Sequence, residues 1–129
     1  MEYRTGYFAK AKLYKELGYF LVSIARFNTR GTNFMQWLSV APNKQLLQDY
    51  KSGNIDESQY ESLYINQLNN CDIKNEWNYL HNAIAKLGVK YKGIVFICYE
   101  KSGAFCHRHI FAKYISELLG IDFKGELLL

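Results

Sequence analysis

The hydrophobic positions of this chain change period several times, and each change marks an element. From Ile94 to Tyr99 the run Ile-Val-Phe-Ile-Cys-Tyr is uninterrupted, as expected of a strand covered on both faces. After Ser102-Gly103 the spacing becomes helical. Ile110, Phe111, Tyr114, Ile115, Leu118 and Leu119 share a side, and Gly120 supplies a stop. This strand–loop–helix, Gly93 to Gly120, organises the chain. Its strand is expected at the centre of a sheet, beside the Tyr19–Ala25 strand or the N-terminal one.

The same pattern orders the rest. Glu2 to Tyr7 suits a short strand. Ala9 to Leu17 suits a helix with Leu13, Tyr14 and Leu17 inward and Gly18 as its stop. Tyr19 to Ala25 forms a second strand, and a strand–helix–strand unit favours parallel pairing. Phe27 to Val40, with Gly31, Met35 and Trp37, is a connection long enough to suggest function. Asn43 then caps a helix reaching about Ser52, with Leu46, Leu47 and Tyr50 inward. Asp56-Glu57-Ser58-Gln59 has capping-box character ahead of a helix carrying Tyr60, Leu63, Tyr64 and Leu68. A further helix, roughly Lys74 to Leu87, aligns Trp77, Leu80, Ile84 and Leu87. Ile121-Asp122-Phe123 is available as a last edge strand. The order β-α-β-loop-α-α-α-β-α predicts a single α/β domain over residues 1–129: a small, mostly parallel sheet covered by helices, Rossmann-like and three-layered.

Composition adds limits. The 129 residues, 49% hydrophobic and 22% charged, fit one domain with a core of its own. A net charge of +4 suits an anionic small molecule or nucleotide. Its scattered basic residues form no nucleic-acid stripe, although nucleic acid stays open as a partner. No apolar run approaches membrane-spanning length, so no membrane partner is expected and the setting read from sequence is the cytoplasm. Cys71, Cys98 and Cys106 are an odd set, best read as reduced thiols without a bridge.

Ligands in parallel sheets bind beyond the carboxyl ends of the strands. Those ends are Gly6-Tyr7, Arg26-Phe27-Asn28 and Tyr99-Glu100. Arg26, Glu100 and the Cys106–Arg108 turn are therefore expected to converge on one cleft.

Phe-Ile-Cys-Tyr-Glu-Lys followed by Phe-Cys-His-Arg-His-Ile, with Ser-Ile-Ala-Arg and Ala-Pro upstream, resembles the uncharacterised domain family DUF488. The likeness covers most of the chain and is most specific in the Cys-Tyr-Glu…Cys-His-Arg block. It implies a compact α/β domain of a bacterial or phage cytosol, with no established reaction. By motif position it nominates Arg26, Cys98, Glu100, Cys106, His107 and Arg108. A proline expected soon after the arginine is missing from Arg26-Phe27-Asn28-Thr29.

Each nominated residue has a chemical and a plain reading. Cys106, at a helix start beside His107 and Arg108, has the setting of an activated nucleophile; otherwise it is a buried structural thiol. A cysteine-phosphatase signature needs an arginine six positions later, where Ala112 stands. Arg26 and Arg108 present planar forks for phosphate or carboxylate, with an ion pair to Glu100 as the alternative. Glu100 is also a candidate general base. Cys98, Cys106, His107 and His109 offer metal-ligand atoms, but they match no Cys-x-x-Cys spacing, and Arg108 among them opposes a cation. No metal and no cofactor is therefore expected. His107 and His109 lie about 200° apart on a helix, so they serve different sides. His81 reads as packed or capped. Tyr7, Trp37 and Tyr64 are candidates to stack on a base, or core. Ser102-Gly103 is a turn without phosphate-loop spacing.

Three functions remain open at this point. One is a binding domain for a nucleotide or other phosphorylated small ligand. Another is an enzyme acting on a nucleotide or nucleic-acid base, with catalytic candidates Glu100, Cys106 and His107 in acid–base or covalent roles. The third is a structural or interaction protein.

Overall fold

Strand β4 (Gly93–Cys98) is buried at all six positions and lies at the middle of a five-stranded sheet. The computed structural model describes residues 1–28, 34–100 and 105–129, and the statements below concern those residues. Thr29, Gly31 and the Ser102-Gly103 turn lie outside them. β4 pairs residue for residue with β1 (Glu2–Tyr7) on one side and with β2 (Tyr19–Ser23) on the other. β3 (Met35–Gln36) extends the sheet beyond β2, and β5 (Phe123–Glu126) extends it beyond β1. Every pairing is parallel and the order is β3-β2-β4-β1-β5. The central strand thus has both expected neighbours rather than one. β3 corrects the reading of residues 27–40 as a bare connection, for its two residues are too few to show a period.

Five α-helices surround the sheet: α1 (Ala11–Glu16), α2 (Lys44–Lys51), α3 (Glu57–Asn69), α4 (Ile73–Ala85) and α5 (His107–Leu119). The result is an α/β domain of three layers. Alternate strand residues face opposite sides. Thr5 pairs with Phe96, whose ring meets Trp77 of α4 and Phe111 of α5 at centroid distances of 5.9 and 5.1 Å. Gly6 faces the other side, where a Cβ would come within 2.6 Å of the Tyr14 ring of α1. Glycine there lets an aromatic ring lie on the strand.

Several inward residues differ from the periodic reading. The first helical segment opens with a 3-10 turn, Phe8–Lys10, and the buried stripe running from it into α1 is Phe8, Ala11 and Tyr14. Leu13 and Leu17 are exposed. Leu63 is also exposed, because α3 buries the narrower stripe Tyr60, Tyr64 and Leu68. Leu87 lies past the end of α4 and is exposed.

The caps follow the sequence closely. Asn43 Oδ1 accepts from Leu46 N–H at 2.8 Å, and Asp56 forms a complete capping box with Gln59. Asp56→Ala leaves an N-terminal amide of α3 without its acceptor, and should lower stability by about 1 kcal/mol, read as a shifted urea midpoint with an unchanged slope. α5 ends at Gly120, which takes a left-handed conformation with φ 66°. No helix of the described residues is long and apolar enough to cross a membrane.

Candidate functional site

Parallel pairing brings the ends of β2 and β4 to one edge of the sheet, and the start of α5 returns to it. A cleft of about 1120 Å³ opens there. Ala25, Arg26 and Phe27 come from the end of β2, Tyr99 and Glu100 from the end of β4, and Phe105, Cys106 and His107 from the start of α5. The facing wall is α2, through Lys44, Leu47, Gln48, Tyr50 and Lys51, with Tyr60 of α3 behind it. Arg26, Glu100, Cys106 and His107 therefore share one cleft, although the chain separates them by up to 81 positions (107 minus 26).

Arg108 is not among the lining residues. Its side chain is fully buried beneath them, with Nε and Nη2 donating to Glu126 Oε1 at 2.7 and 2.6 Å. Nη1 donates to Cys98 Sγ at 3.1 Å and to the backbone carbonyl of Glu100. The arginine's carboxylate partner is thus Glu126, and Glu100 contributes only its main chain. The first helical turn aims Arg108 back along the sheet toward β5, a strand whose register the sequence pattern did not supply. Arg26 also forms no ion pair with Glu100. It donates from Nε to Pro42 O and from Nη2 to Ala41 O, each at 3.0 Å, which fixes its guanidinium in the cleft wall.

His107 is the most constrained polar group at the site. Its Nε2 is 2.6 Å from the carbonyl oxygen of Ile24, an acceptor only, so Nε2 carries the proton. Nδ1 then presents its lone pair to Cys106 Sγ, 3.7 Å away. Burial lowers the imidazole pKa to about 4, against a smaller opposing effect of the Ile24 carbonyl, so the ring is neutral at neutral pH. His109, half-exposed, points instead toward Glu126 at 3.9 Å.

Cys98 and Cys106 are joined sulfur to sulfur, with Cα atoms 7.7 Å apart. This corrects the expectation of three unpaired thiols. The sequence separates them by eight positions, but the fold sets the start of α5 against the end of β4, bringing both thiols to one point. Cys71 remains free.

Two of the three aromatic candidates take the core reading. Trp37 and Tyr64 are core: the indole N–H donates to Glu76 at 3.1 Å and the Tyr64 hydroxyl to Val40 O at 2.6 Å. Tyr7 lies against the buried Arg108, 6.0 Å from its ring centre to the guanidinium carbon. His81 is packed, bonded to Tyr3 and to the Trp77 carbonyl. The rings that do face the cleft are Phe27, Tyr50, Tyr60, Tyr99 and Phe105. Tyr50, Tyr60 and Phe105 meet edge to face with centroids 5.2–5.3 Å apart. Lys44 and Lys51, both exposed, were also missed. Their available signal was position, at the two ends of the helix opposite Arg26.

The sequence matches the family model described as the active DUF488-N3 subclade over residues 19–119. The chain belongs to the DUF488 family. The matched stretch runs from the first residue of β2 to the last of α5, so it contains every residue named above as lining the cleft. β1 and β5, with Glu126, fall outside it. No curated protein and no solved structure matches this DUF488 domain.

Proposed function

We propose that this DUF488 domain binds a nucleotide or a closely related phosphorylated small ligand in the cleft at the carboxyl edge of its sheet. One observation carries the reading: Arg26, Lys44 and Lys51 share the cleft with the Tyr50–Tyr60–Phe105 ring cluster. Cations beside aromatic faces complement a ligand with a charged end and a flat apolar end. The cleft's volume suits a molecule of that size.

Thermal unfolding in the presence of nucleoside mono-, di- and triphosphates, with nucleosides and inorganic phosphate alone as separate arms, tests it. A ligand selective for the native state raises the melting temperature. Nucleotides should raise it more than either half. Lys44→Glu/Lys51→Glu changes two exposed side chains, so it should fold normally while weakening nucleotide binding at least about tenfold. Equal affinity in that variant, or no shift with any nucleotide, overturns the reading.

A second reading makes the domain an enzyme acting on the bound nucleotide or base. It is favoured by the carboxylate of Glu100 standing in the same cleft as Cys106 and His107, and by the word "active" in the matched subclade's description. Product formation that is lost in Glu100→Gln, with binding kept, selects it over binding alone.

A further inference from the structure

We propose that Cys98 and Cys106 in their reduced form, together with His107, make a Cys2His centre for a zinc-class divalent cation at the floor of the cleft. The three side chains are buried, and their ligand atoms lie within 4.8 Å of one another. Two thiolates and one imidazole suit zinc or cobalt and do not suit magnesium or calcium. Tetrahedral angles with ordinary zinc–sulfur and zinc–nitrogen bonds set a sulfur and a nitrogen about 3.6 Å apart. Cys106 Sγ and His107 Nδ1 are already 3.7 Å apart.

The surroundings match as well. Metal-binding imidazoles characteristically donate their other N–H to a carbonyl or carboxylate, and His107 Nε2 is held by Ile24 O at 2.6 Å. That bond leaves Nδ1 as the ligand nitrogen, aimed at the sulfurs. Cys98 Sγ already accepts a hydrogen bond from Arg108 Nη1 at 3.1 Å. From sequence alone Arg108 opposes a cation, but its charge is balanced by Glu126 at 2.6 Å. A divalent cation with two thiolates is likewise neutral, so the N–H···S bond orients a ligand without opposing the ion. The backbone also allows a shared centre. Two sulfurs on one tetrahedral metal sit about 3.8 Å from each other, a separation that cysteines with Cα atoms 7.7 Å apart can reach once reduced. Cys106 and His107 line the cleft and Cys98 approaches from the strand beneath, so a fourth ligand would come from the cleft.

The bonded and metal-bound forms exclude each other. A dithiol reduces the bridge, giving two thiols and its own disulfide, and the cation then displaces two protons. The test uses the full chain, reduced with a dithiol, stripped with a chelator, desalted without oxygen and titrated with Co2+. One Co2+ per chain should bind, with thiolate-to-cobalt charge transfer and a tetrahedral ligand-field spectrum, and Zn2+ should abolish both. Zn2+ at about a hundred times its Kd should slow alkylation of Cys106 about a hundredfold and leave Cys71 reactive. Cys71→Ala should give the same cobalt spectrum, while Cys106→Ala should lose more than about a hundredfold in affinity. Should Cys106→Ala not fold, the spectrum and the protection of the wild-type thiol decide. An octahedral spectrum without charge transfer, unprotected Cys106 in excess Zn2+, or a bridge that re-forms with Zn2+ present overturns the proposal.

Discussion

Arg108→Ala should lower the unfolding free energy by about 3–5 kcal/mol, a large part of what a domain of this size has. The guanidinium is fully buried, and Glu126 is only 11% exposed. Removing the arginine takes two charge-assisted bonds from a carboxylate that is itself largely buried. It also removes the donors held by Cys98 Sγ and the Glu100 carbonyl, which tie α5 to the end of the central strand. Glu126→Ala should cost a similar amount, since it takes the two carboxylate bonds from a fully buried guanidinium. The double variant Arg108→Met/Glu126→Leu should recover much of the loss, because a buried pair contributes little beyond an apolar pair of similar volume. Urea unfolding of the four proteins reads this directly. A loss under about 1 kcal/mol in Arg108→Ala would show that the pair does not hold α5 against β5. The consequence for function is practical: an effect of Arg108→Ala on binding cannot be separated from folding, so the exposed Lys44 and Lys51 are the better probes.

The fold was legible because most of its elements announce themselves locally. The apolar run at Ile94, the stop at Gly120 and the caps at Asn43 and Asp56 each involve neighbours within four residues. The convergence of Arg26, Glu100, Cys106 and His107 followed from one topological rule, that parallel strands end at the same edge. What sequence could not supply was direction within the site. Arg108 is adjacent to His107, yet the step of about 100° between helix neighbours sends it beneath the cleft to a carboxylate 18 positions later. Its partner stands on β5, whose register depends on tertiary pairing with β1. The Cys98–Cys106 contact was hidden for a related reason. Eight positions of spacing carry no signal until the helix start is placed on the strand end. The aromatic wall is the third case: Tyr50 and Tyr60 read as inward helix positions, and only the gap between α2 and the sheet makes that inward side a cleft.

Phe96→Ala should be as damaging as the loss of Arg108, at about 3–5 kcal/mol, by a different physical route. Phe96 is wholly buried on the central strand, and its ring is the meeting point of four others. Trp77 stacks on it at 5.9 Å, while Phe111, Phe123 and Trp37 lie at 5.1, 5.9 and 6.3 Å. These partners come from α4, α5, β5 and the segment after β3, so one ring joins elements spread along the whole chain. Truncation removes apolar burial and leaves a cavity that rigid neighbouring rings cannot close. Phe96→Leu fills part of that space and should recover a good part of the loss. Equilibrium unfolding in urea distinguishes the two, with midpoints falling in the order wild type, Leu, Ala. Equal midpoints for Leu and Ala would mean that ring-to-ring geometry, and not filled volume, sets the stability of this face of the sheet. Phe96 lies two residues before Cys98 on the same face and packs on Phe111 of α5, so lost packing there loosens the contact between the strand end and α5. Phe96→Ala should therefore also disturb the Cys98–Cys106–His107 cluster, whereas Asp56→Ala, which removes one cap bond at the start of α3, should not.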